Sequence, residues 1–455
     1  MNKLIKTFRD IFSIEDLRER ILNTLLFLAV YRLGSYIVLP GVDGSKFKGG
    51  STDGIFGLVD TLLGGAFSNA SIFGLSIMPY ISASIVLQLL TVAVPYFQKL
   101  QQEGESGRKK INQYTRVLTI VICLFQSAAY IASNLPLYEG DGRPVDYIYS
   151  EYFTEFLGVS FFSLSSIIVL TAGTIFCMWM GEKITDRGIG NGISLLIMVG
   201  IISRFPGAII KESMARGMGG AMLFIFELIA MFFIVMGVVM ITQAVRQIPI
   251  QYAKQIIGNK VSGGQRQYLP IKVNSAGVMP IIFAQSLMLI PAFFTNMLAS
   301  TENVFLMRIN EMFRDPNSWQ YSLMFALLII VFTFFYTAIA INPNQIADDM
   351  KRNNGFIPGV KPGPQTSEHI ATVVDRITLP GAVFLAIIAI LPSVASRFGV
   401  QQDFAQFFGG TSLLIMVGVI LDTLQQVESY LLNKHYEGLM KTGKFTETGN
   451  VITAA

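Results

Sequence analysis

Charge is what this chain has least of. Only 14% of its 455 residues are Asp, Glu, Lys or Arg, against roughly 25% in an average soluble protein. Histidine occurs twice, at His369 and His435, and cysteine twice, at Cys123 and Cys177, both cysteines within apolar runs. Neither a disulfide framework nor a metal centre can be built from that set. No G-x-x-x-x-G-K-[ST] is present, and no apolar run holds an H-E-x-x-H, a Ser with a His, or paired Asp residues. Those absences argue against a nucleotide site and an intramembrane enzyme, so no cofactor, no metal and no catalytic residues are expected. The net charge of +4 is too small to imply whole-chain attraction to nucleic acid.

What the chain has in abundance is apolar surface: 52% hydrophobic residues and a mean hydropathy of +0.53. Apolar runs of about 20 residues, the length that crosses a bilayer core, fall near 21–39, 75–95, 115–134, 158–180, 188–205, 220–243, 273–295, 321–341, 376–396 and 407–427. The expected fold class is therefore an all-α polytopic membrane protein with ten transmembrane helices. Ahead of the first run, residues 1–20 place Leu4, Ile5, Phe8, Ile11 and Phe12 at helical spacing among Lys3, Lys6 and Arg9, as an interfacial amphipathic helix would. With the N-terminus cytoplasmic, the inner connections hold 24 of the 34 Lys and Arg and the outer ones 9, Arg32 lying within the first run. That asymmetry predicts both termini, including the tail 428–455, on the cytoplasmic side.

Ten spans divide into two groups of five, 21–206 and 207–427. Five is odd, so the second group starts on the opposite side, and an inverted repeat around a midplane pathway becomes possible. One run resists a simple crossing: GLVDTLLGGAFSNASIFGLSIMPYISASIVLQLL, Gly57 to Leu90, would be about 51 Å long as one helix, against a hydrocarbon core about 30 Å thick. Gly64–Gly65, Gly74 and Pro79 break it, and Asp60 sits inside it. It reads as an outer half-helix over about 57–72 followed by a full crossing from about Leu75. Irregular backbone at membrane depth is tolerated where protein buries it or where it borders a water-filled cavity.

Several further segments occur in order along the chain: GLSIMPYISASIVLQLLTVAVP (Gly74 to Pro95), GESGRKKINQYTR (Gly104 to Arg116), GEKITDRGIGNGISL (Gly181 to Leu195), LPIKVNSAGVMPIIFA (Leu269 to Ala284), FIPGVKPGPQT (Phe356 to Thr366) and FGGTSLLIMV (Phe408 to Val417). Together they closely resemble the bacterial SecY family, relatives of Sec61-alpha, the pore subunits of the protein-conducting channel. The resemblance implies two inverted five-helix halves around a central pore, in the bacterial inner membrane. It implies that the half-helix is a plug (Asp60, Gly64, Gly65, Asn69) closing the resting pore from outside. It also implies a pore ring of Ile77, Ile81, Ile193, Ile197, Ile282 and Ile415. Such β-branched alkyl groups are stiff and offer ions no hydrogen bond, so a collar of them can exclude ions by dewetting yet yield to a passing side chain. A lateral gate that releases apolar segments into lipid is implied between Ser82, Gln88 and Gln126 on one side and Gln285, Ser286 and Ile290 on the other.

Residues 244–272 contain Arg246, Lys254, Lys260, Arg266 and Lys272 without one acid, and residues 342–376 add Lys351, Arg352 and Lys361. Positive-inside topology accounts for many of these. The resemblance makes both loops a docking surface for the ribosome, whose RNA backbone attracts cations, and for the SecA motor ATPase. Lys361 stands where the family usually has Arg, keeping the charge without the planar fork. The family further implies SecE-like and SecG-like small membrane subunits, signal peptides, nascent polypeptides and membrane lipids as partners. Arg32 and Glu227 are ionisable residues inside spans; Arg32 could snorkel or bond neighbouring carbonyls, while Glu227 could be protonated or face a partner. The alternative class, a secondary transporter of small solutes, shares the span count and the broken helix, but the central spans lack the carboxylates and His that coupled transport uses.

Overall fold

The computed structural model describes residues 12, 14–47, 55–137, 145–153, 155–156, 159–252, 255–257, 260–262, 266–297 and 318–441. Each of the ten apolar runs lies on a helix. In chain order these are α1 (Glu15–Gly34), then after the short α2 (Ile55–Leu62) α3 (Met78–Ala93), and after α4 (Pro95–Gln102) α5 (Glu105–Asn134), α6 (Phe161–Arg187), α7 (Gly192–Arg216) and α8 (Ala221–Gln243). The remainder are α9 (Met279–Met297), α10 (Trp319–Ala340), then α11 (Pro343–Arg352), α12 (Pro364–Arg397), the single turn α13 (Gln402–Ala405) and α14 (Gly410–Lys441). Among the described residues, seven helices are long and apolar enough to cross a membrane alone. Helix α3 passes that test only together with α4, to which it is bent by 101°. The bend falls at Val94–Pro95, where proline pushes the preceding residue out of helical geometry. Charges from Glu15 to Arg20 dilute α1, and the apolar part of α9 is short, Met279–Met288. Of the N-terminal amphipathic segment expected over residues 1–20, residues 1–11 and 13 lie outside the described residues, and Glu15 to Arg20 form the first turns of α1.

Several helices outrun their apolar stretches. α7 continues through Pro206 to Arg216, eleven residues beyond the expected end at 205, and the 34 residues of α12 span about 51 Å. The connections expected at 204–219 and 342–376 are therefore largely helical.

The chain divides into two compact units, one of residues 1–52, 59–204 and 418–455, the other of 53–58 and 205–417. Helix α14 is shared between them, and its later turns belong to the first unit, where Gln426 Oε1 accepts from the Gly190 amide at 2.8 Å and Arg20 lies 5.3 Å over the Tyr430 ring. The GIGNG turn that Gln426 holds is built for close approach. A β-carbon at Gly192 would fall 2.0 Å from the Gly181 carbonyl oxygen, and Gly190 has φ +81°. Asn191 Oδ1 accepts from the Ile193 and Ser194 amides, starting α7 on a side-chain cap.

In the second unit, the basic segment 244–272 is not the irregular loop expected for a connection. It is an antiparallel hairpin of β3 (Val245–Tyr252) and β6 (Arg266–Lys272), numbered after the short pair β1 (Glu155–Phe156) and β2 (Val159–Ser160) and interrupted by the short strands β4 (Gln255–Ile257) and β5 (Lys260–Ser262). A third strand, β7 (Gly355–Phe356), pairs with β3. The alternation in VRQIPIQY sends Ile248 and Ile250 inward, and with Ile271 they pack on Met350, Ile357, Ile370 and Val374 from the α11–α12 region. The hairpin is thus clamped on α12, with the odd positions Val245, Gln247 and Pro249 exposed by register, while Arg246, which shares the face of Ile248, is exposed at the start of the strand.

A charged clasp joins three further elements of this unit. Arg216 donates from Nε to Glu212 Oε1 at 2.9 Å and from Nη2 to Glu227 Oε1 at 2.5 Å and to the Gly399 carbonyl at 2.9 Å. The other Glu212 oxygen accepts from the Gln401 amide at 2.9 Å. Glu227, at the start of α8, therefore faces an arginine of its own unit, which answers its odd position in an apolar run. Two buried carboxylates share one guanidinium, so the partners are unequal. Replacing Arg216 with Met strands both acids and is expected to cost about 3–5 kcal/mol, while Glu227→Gln leaves one matched pair and is expected to cost less than about 1 kcal/mol. Thermal unfolding of the two variants in detergent should show a large fall in Tm for the first and a small one for the second.

Candidate functional site

The segment from Ile55 to Ile77 departs from helix as soon as its glycines allow. Helix α2 ends at Leu62, Gly64 and Gly65 take φ +65° and +92°, and the chain then runs through turns to Ile77. This corrects the expected half-helix of 57–72: only its first turns are helical, because positive φ at successive glycines cannot continue an α-helix. Ala70 and Ser76 also hold positive φ, at 47° and 45°, a conformation that side-chain-bearing residues adopt at a cost and keep only when their surroundings impose it.

Those surroundings all belong to the first unit. The buried Asp60 carboxylate pairs with Arg204 of α7 through Oδ2 and accepts the Ser68 amide through Oδ1 at 2.8 Å, while Arg204 also reaches Ser68 Oγ at 3.2 Å. One charge pair therefore fixes both ends of the tight loop 60–68. Arg32 of α1 donates to the Gly64 carbonyl at 2.8 Å and stacks its guanidinium 4.6 Å over the Tyr36 ring; of the two roles open to it in the sequence, bonding a carbonyl is the one realised. Tyr130 of α5 donates to the Phe67 carbonyl at 2.6 Å and meets the Phe67 ring edge-on. The Tyr31 and Ser76 hydroxyls are 2.9 Å apart, and the Leu39 and Ile72 amides bond the Ala70 and Ile37 carbonyls. Freed backbone groups are thus taken up by α1, α5, α7 and the strand-like 37–39.

Two glycines let the helices come this close. A β-carbon at Gly200 of α7 would lie 2.5 Å from the Leu62 carbonyl oxygen, and one at Gly173 of α6 would lie 2.3 Å from that of Ile72. Leu62, Leu63, Ala66, Phe67, Ala70 and Phe73 fill the space between. Of the plug candidates, Asp60, Gly64 and Gly65 are held in this seat, and Asn69 is exposed. Sequence reasoning missed Arg204, Tyr130, Gly173 and Gly200. The one visible hint was Arg204 itself, a cation at the end of the apolar run 188–205, which holds no acid to pair with it.

The remaining candidates distribute over both units. Ile77, Ile81 and Ile197 are buried in the first unit, and Ile193 is half-buried there with its side chain against Gly181. Ile282 and Ile415 are buried in the second. Ser82 is occupied with the Met78 carbonyl and Gln88 with Ser84 Oγ, along one helix, and Gln126 is half-buried on α5. Gln285 and Ser286 are buried on α9, and Ile290 is on the same helix, its side chain outside the described residues. Arg246, Lys351, Arg352 and Lys361 are exposed on the hairpin and the α11–α12 region, whereas Lys254 and the side chains of Lys260 and Arg266 lie outside the described residues. Positive φ at Gly359 and Gly363 shapes the FIPGVKPG turn that presents Lys361, whose carbonyl accepts from Thr366 Oγ1 at 2.9 Å. No group of His, Cys, Asp and Glu that could hold a metal occurs among the described residues.

Comparison with known proteins follows the same lines. Residues 71–424 match the SecY family model. The chain is 39% identical over 97% of its length to a protein translocase subunit SecY of Corynebacterium glutamicum, and 40% identical over 96% to one of Streptomyces lividans, covering 100% of each. Among solved structures, it shares its fold with a protein-conducting channel (TM-score 0.63, 18% identity, 93% of this chain and 94% of that one). A SecY whose plug domain stabilises the closed state of the translocation channel gives a TM-score of 0.62 at 17% identity over 93% and 94%. Sec61 of the canine ribosome–channel complex gives 0.59 at 17% identity, again over 93% and 94%. With a family model spanning most of the chain and relatives alike over nearly all of it, this chain belongs to the SecY family.

Proposed function

We propose that the chain is the pore-forming subunit of a protein translocase, a passive channel through which unfolded preproteins cross the membrane and from which apolar segments pass sideways into lipid. Near-full-length identity to proteins named translocase subunit SecY is the observation that supports this most directly. The seat of residues 60–77 supplies its physical basis: a largely non-helical segment among apolar spans, held by one ion pair and a few carbonyl bonds, is a stopper that can be released. A small-solute transporter has no use for such a stopper, and the comparisons favour the channel.

In this reading the turn-rich segment is the plug, and the six isoleucines Ile77, Ile81, Ile193, Ile197, Ile282 and Ile415 form the apolar collar. Ser82, Gln88 and Gln126 with Gln285, Ser286 and Ile290 form the sideways exit, whose polar side chains give bonds of roughly 0.6–2 kcal/mol each, enough to hold a seam without locking it. Both termini are cytoplasmic and the membrane is the bacterial inner membrane. The hairpin and the α11–α12 region, with Arg246, Lys351, Arg352 and Lys361 exposed, are the docking face for the ribosome and a SecA-like motor, and small SecE-like and SecG-like subunits complete the assembly. A channel without a nucleotide motif draws its driving force from such partners.

The decisive experiment reconstitutes the protein with its small subunits and motor in vesicles and supplies ATP and an unfolded precursor. The precursor is expected to become protease-protected; protection equal to that of empty vesicles would refute the function. Planar-bilayer conductance tests the stopper. Arg204→Ala leaves the Asp60 carboxylate buried without its cation, at about 3 kcal/mol, roughly a hundredfold in the balance between seated and released plug, so resting ion leak should rise, with Arg204→Lys in between. Leak at the wild-type level in a folded Arg204→Ala protein would remove the ion pair from the closing mechanism. Serine in place of Ile81, Ile197 and Ile282 together should also raise resting conductance, since hydroxyls let the constriction wet; an unchanged value would dissociate these residues from the constriction.

A further inference from the structure

The second unit holds a partly open cavity of about 50 Å³ that none of the roles above uses. Its walls include Gln285 from α9, Tyr321, Ser322 and Phe325 from α10, Ser393 from α12 and Gln406 just after α13. Two amides stand out. Gln285 and Gln406 are each 5% exposed, and the Oε1 atom of each is buried with no hydrogen-bond partner. A buried amide oxygen left unpaired costs about 1–3 kcal/mol, and two on the walls of one cavity point to something that pairs with both. Nearby, the Ser322 and Ser393 hydroxyls lie 3.1 Å apart and Ser322 also reaches the Ser318 carbonyl at 3.1 Å, so a hydroxyl pair completes a ring of polar groups around the space.

The lining itself selects the occupant. It contains no Asp, Glu, Lys or Arg, so neither a metal cation nor an anion finds a countercharge, and either ion would meet the full cost of desolvation. The volume is far below the roughly 300 Å³ at which pockets for drug-sized molecules begin. It suits water, which needs about 10–15 Å³ of such space per molecule and two to four polar partners, so room exists for about three to five. We propose that this cavity is a permanent hydration site: a small cluster of water molecules bridges Gln285 of α9 to Gln406, just after α13, and to the Ser322 hydroxyl of α10. Its ligand is water, and its consequence is that α9 is tied to its neighbours at this level by exchangeable hydrogen bonds in place of packed side chains. This inference concerns the interior of the second unit and stands whether or not Gln285 also serves a sideways exit.

Radiolytic hydroxyl labelling of the intact protein with its small subunits tests it, because radicals made from bound water oxidise buried aromatics beside that water. Tyr321 and Phe325 line the cavity and are 6% and 7% exposed, whereas Phe162 in the first unit is 0% exposed and lines no part of it. Both cavity aromatics are expected to be labelled several-fold faster than Phe162. In Gln406→Leu, which removes one amide at nearly unchanged side-chain volume, the water loses a partner, so labelling of both aromatics should fall toward that of Phe162 and Tm should fall as well. Labelling of Tyr321 and Phe325 at the rate of Phe162 in the wild-type protein overturns the proposal. So does a Gln406→Leu protein with undiminished labelling, or with a raised Tm, the mark of a dry cavity relieved of an unpaired amide. Should Gln406→Leu fail to fold, the wild-type comparison decides alone.

Discussion

A backbone that leaves helical geometry among apolar spans has no water to satisfy it, and the Asp60–Arg204 pair is where the first unit meets that constraint. Asp60 closes the helix-to-turn junction by accepting the Ser68 amide, and Arg204 neutralises it while reaching Ser68 from the other side. Without the cation, a carboxylate would be buried alone. Without the carboxylate, the loop 60–68 would lose the acceptor that folds it back. The carbonyl bonds from Arg32 and Tyr130 then have a fixed target, and the close approach at Gly173 and Gly200 becomes possible because the segment sits in one place.

The same constraint is met differently in the second unit. There the charges are unequal, two carboxylates to one guanidinium, and the arginine bonds Glu212, Glu227 and the Gly399 carbonyl at once. A planar fork with five donors can serve three acceptors in fixed directions, which a lysine could not do as well. The clasp ties the end of α7, the start of α8 and the turn after α12, so three helices end against one side chain. On the hairpin, apolar alternation does the fixing: Ile248 and Ile250 are committed to the α12 face, and Arg246, two residues earlier on that same face, is exposed at the start of the strand.

How far these features were legible depends on the range of the interaction. The ten helices follow from apolar runs because burial in lipid needs nothing but length and hydropathy. Helix ends were less visible: Pro206 does not stop α7, since the helix there has left the apolar stretch and is capped by tertiary bonds through Glu212 and Arg216. Gly64–Gly65 marked the break correctly, yet how little of 57–72 is helical could not be read, because Ala70 and Ser76 hold positive φ only through contacts with other helices. The pairing of Asp60 with Arg204 spans 144 residues, so the sequence shows two lone charges in separate apolar runs and not that they meet. The hairpin was there to be read in the alternation of VRQIPIQY, and was obscured by the charge pattern, which explains an inner loop equally well.

Each unit therefore settles its own buried charge. Asp60 with Arg204 is complete within the first unit, and Glu212, Arg216 and Glu227 within the second; every described ion pair has both members in one unit. Where a polar group remains unpaired by protein at Gln285 and Gln406, it is neutral, and the cost of changing its partner is that of a hydrogen bond and not of a bare ion. Strong pairings are thus kept for seats and clasps that define a unit, and weak, replaceable ones are found on α9. A channel that opens must rearrange some contacts repeatedly, and those whose loss strands no charge are the ones that can be rearranged at a cost of a few kcal/mol.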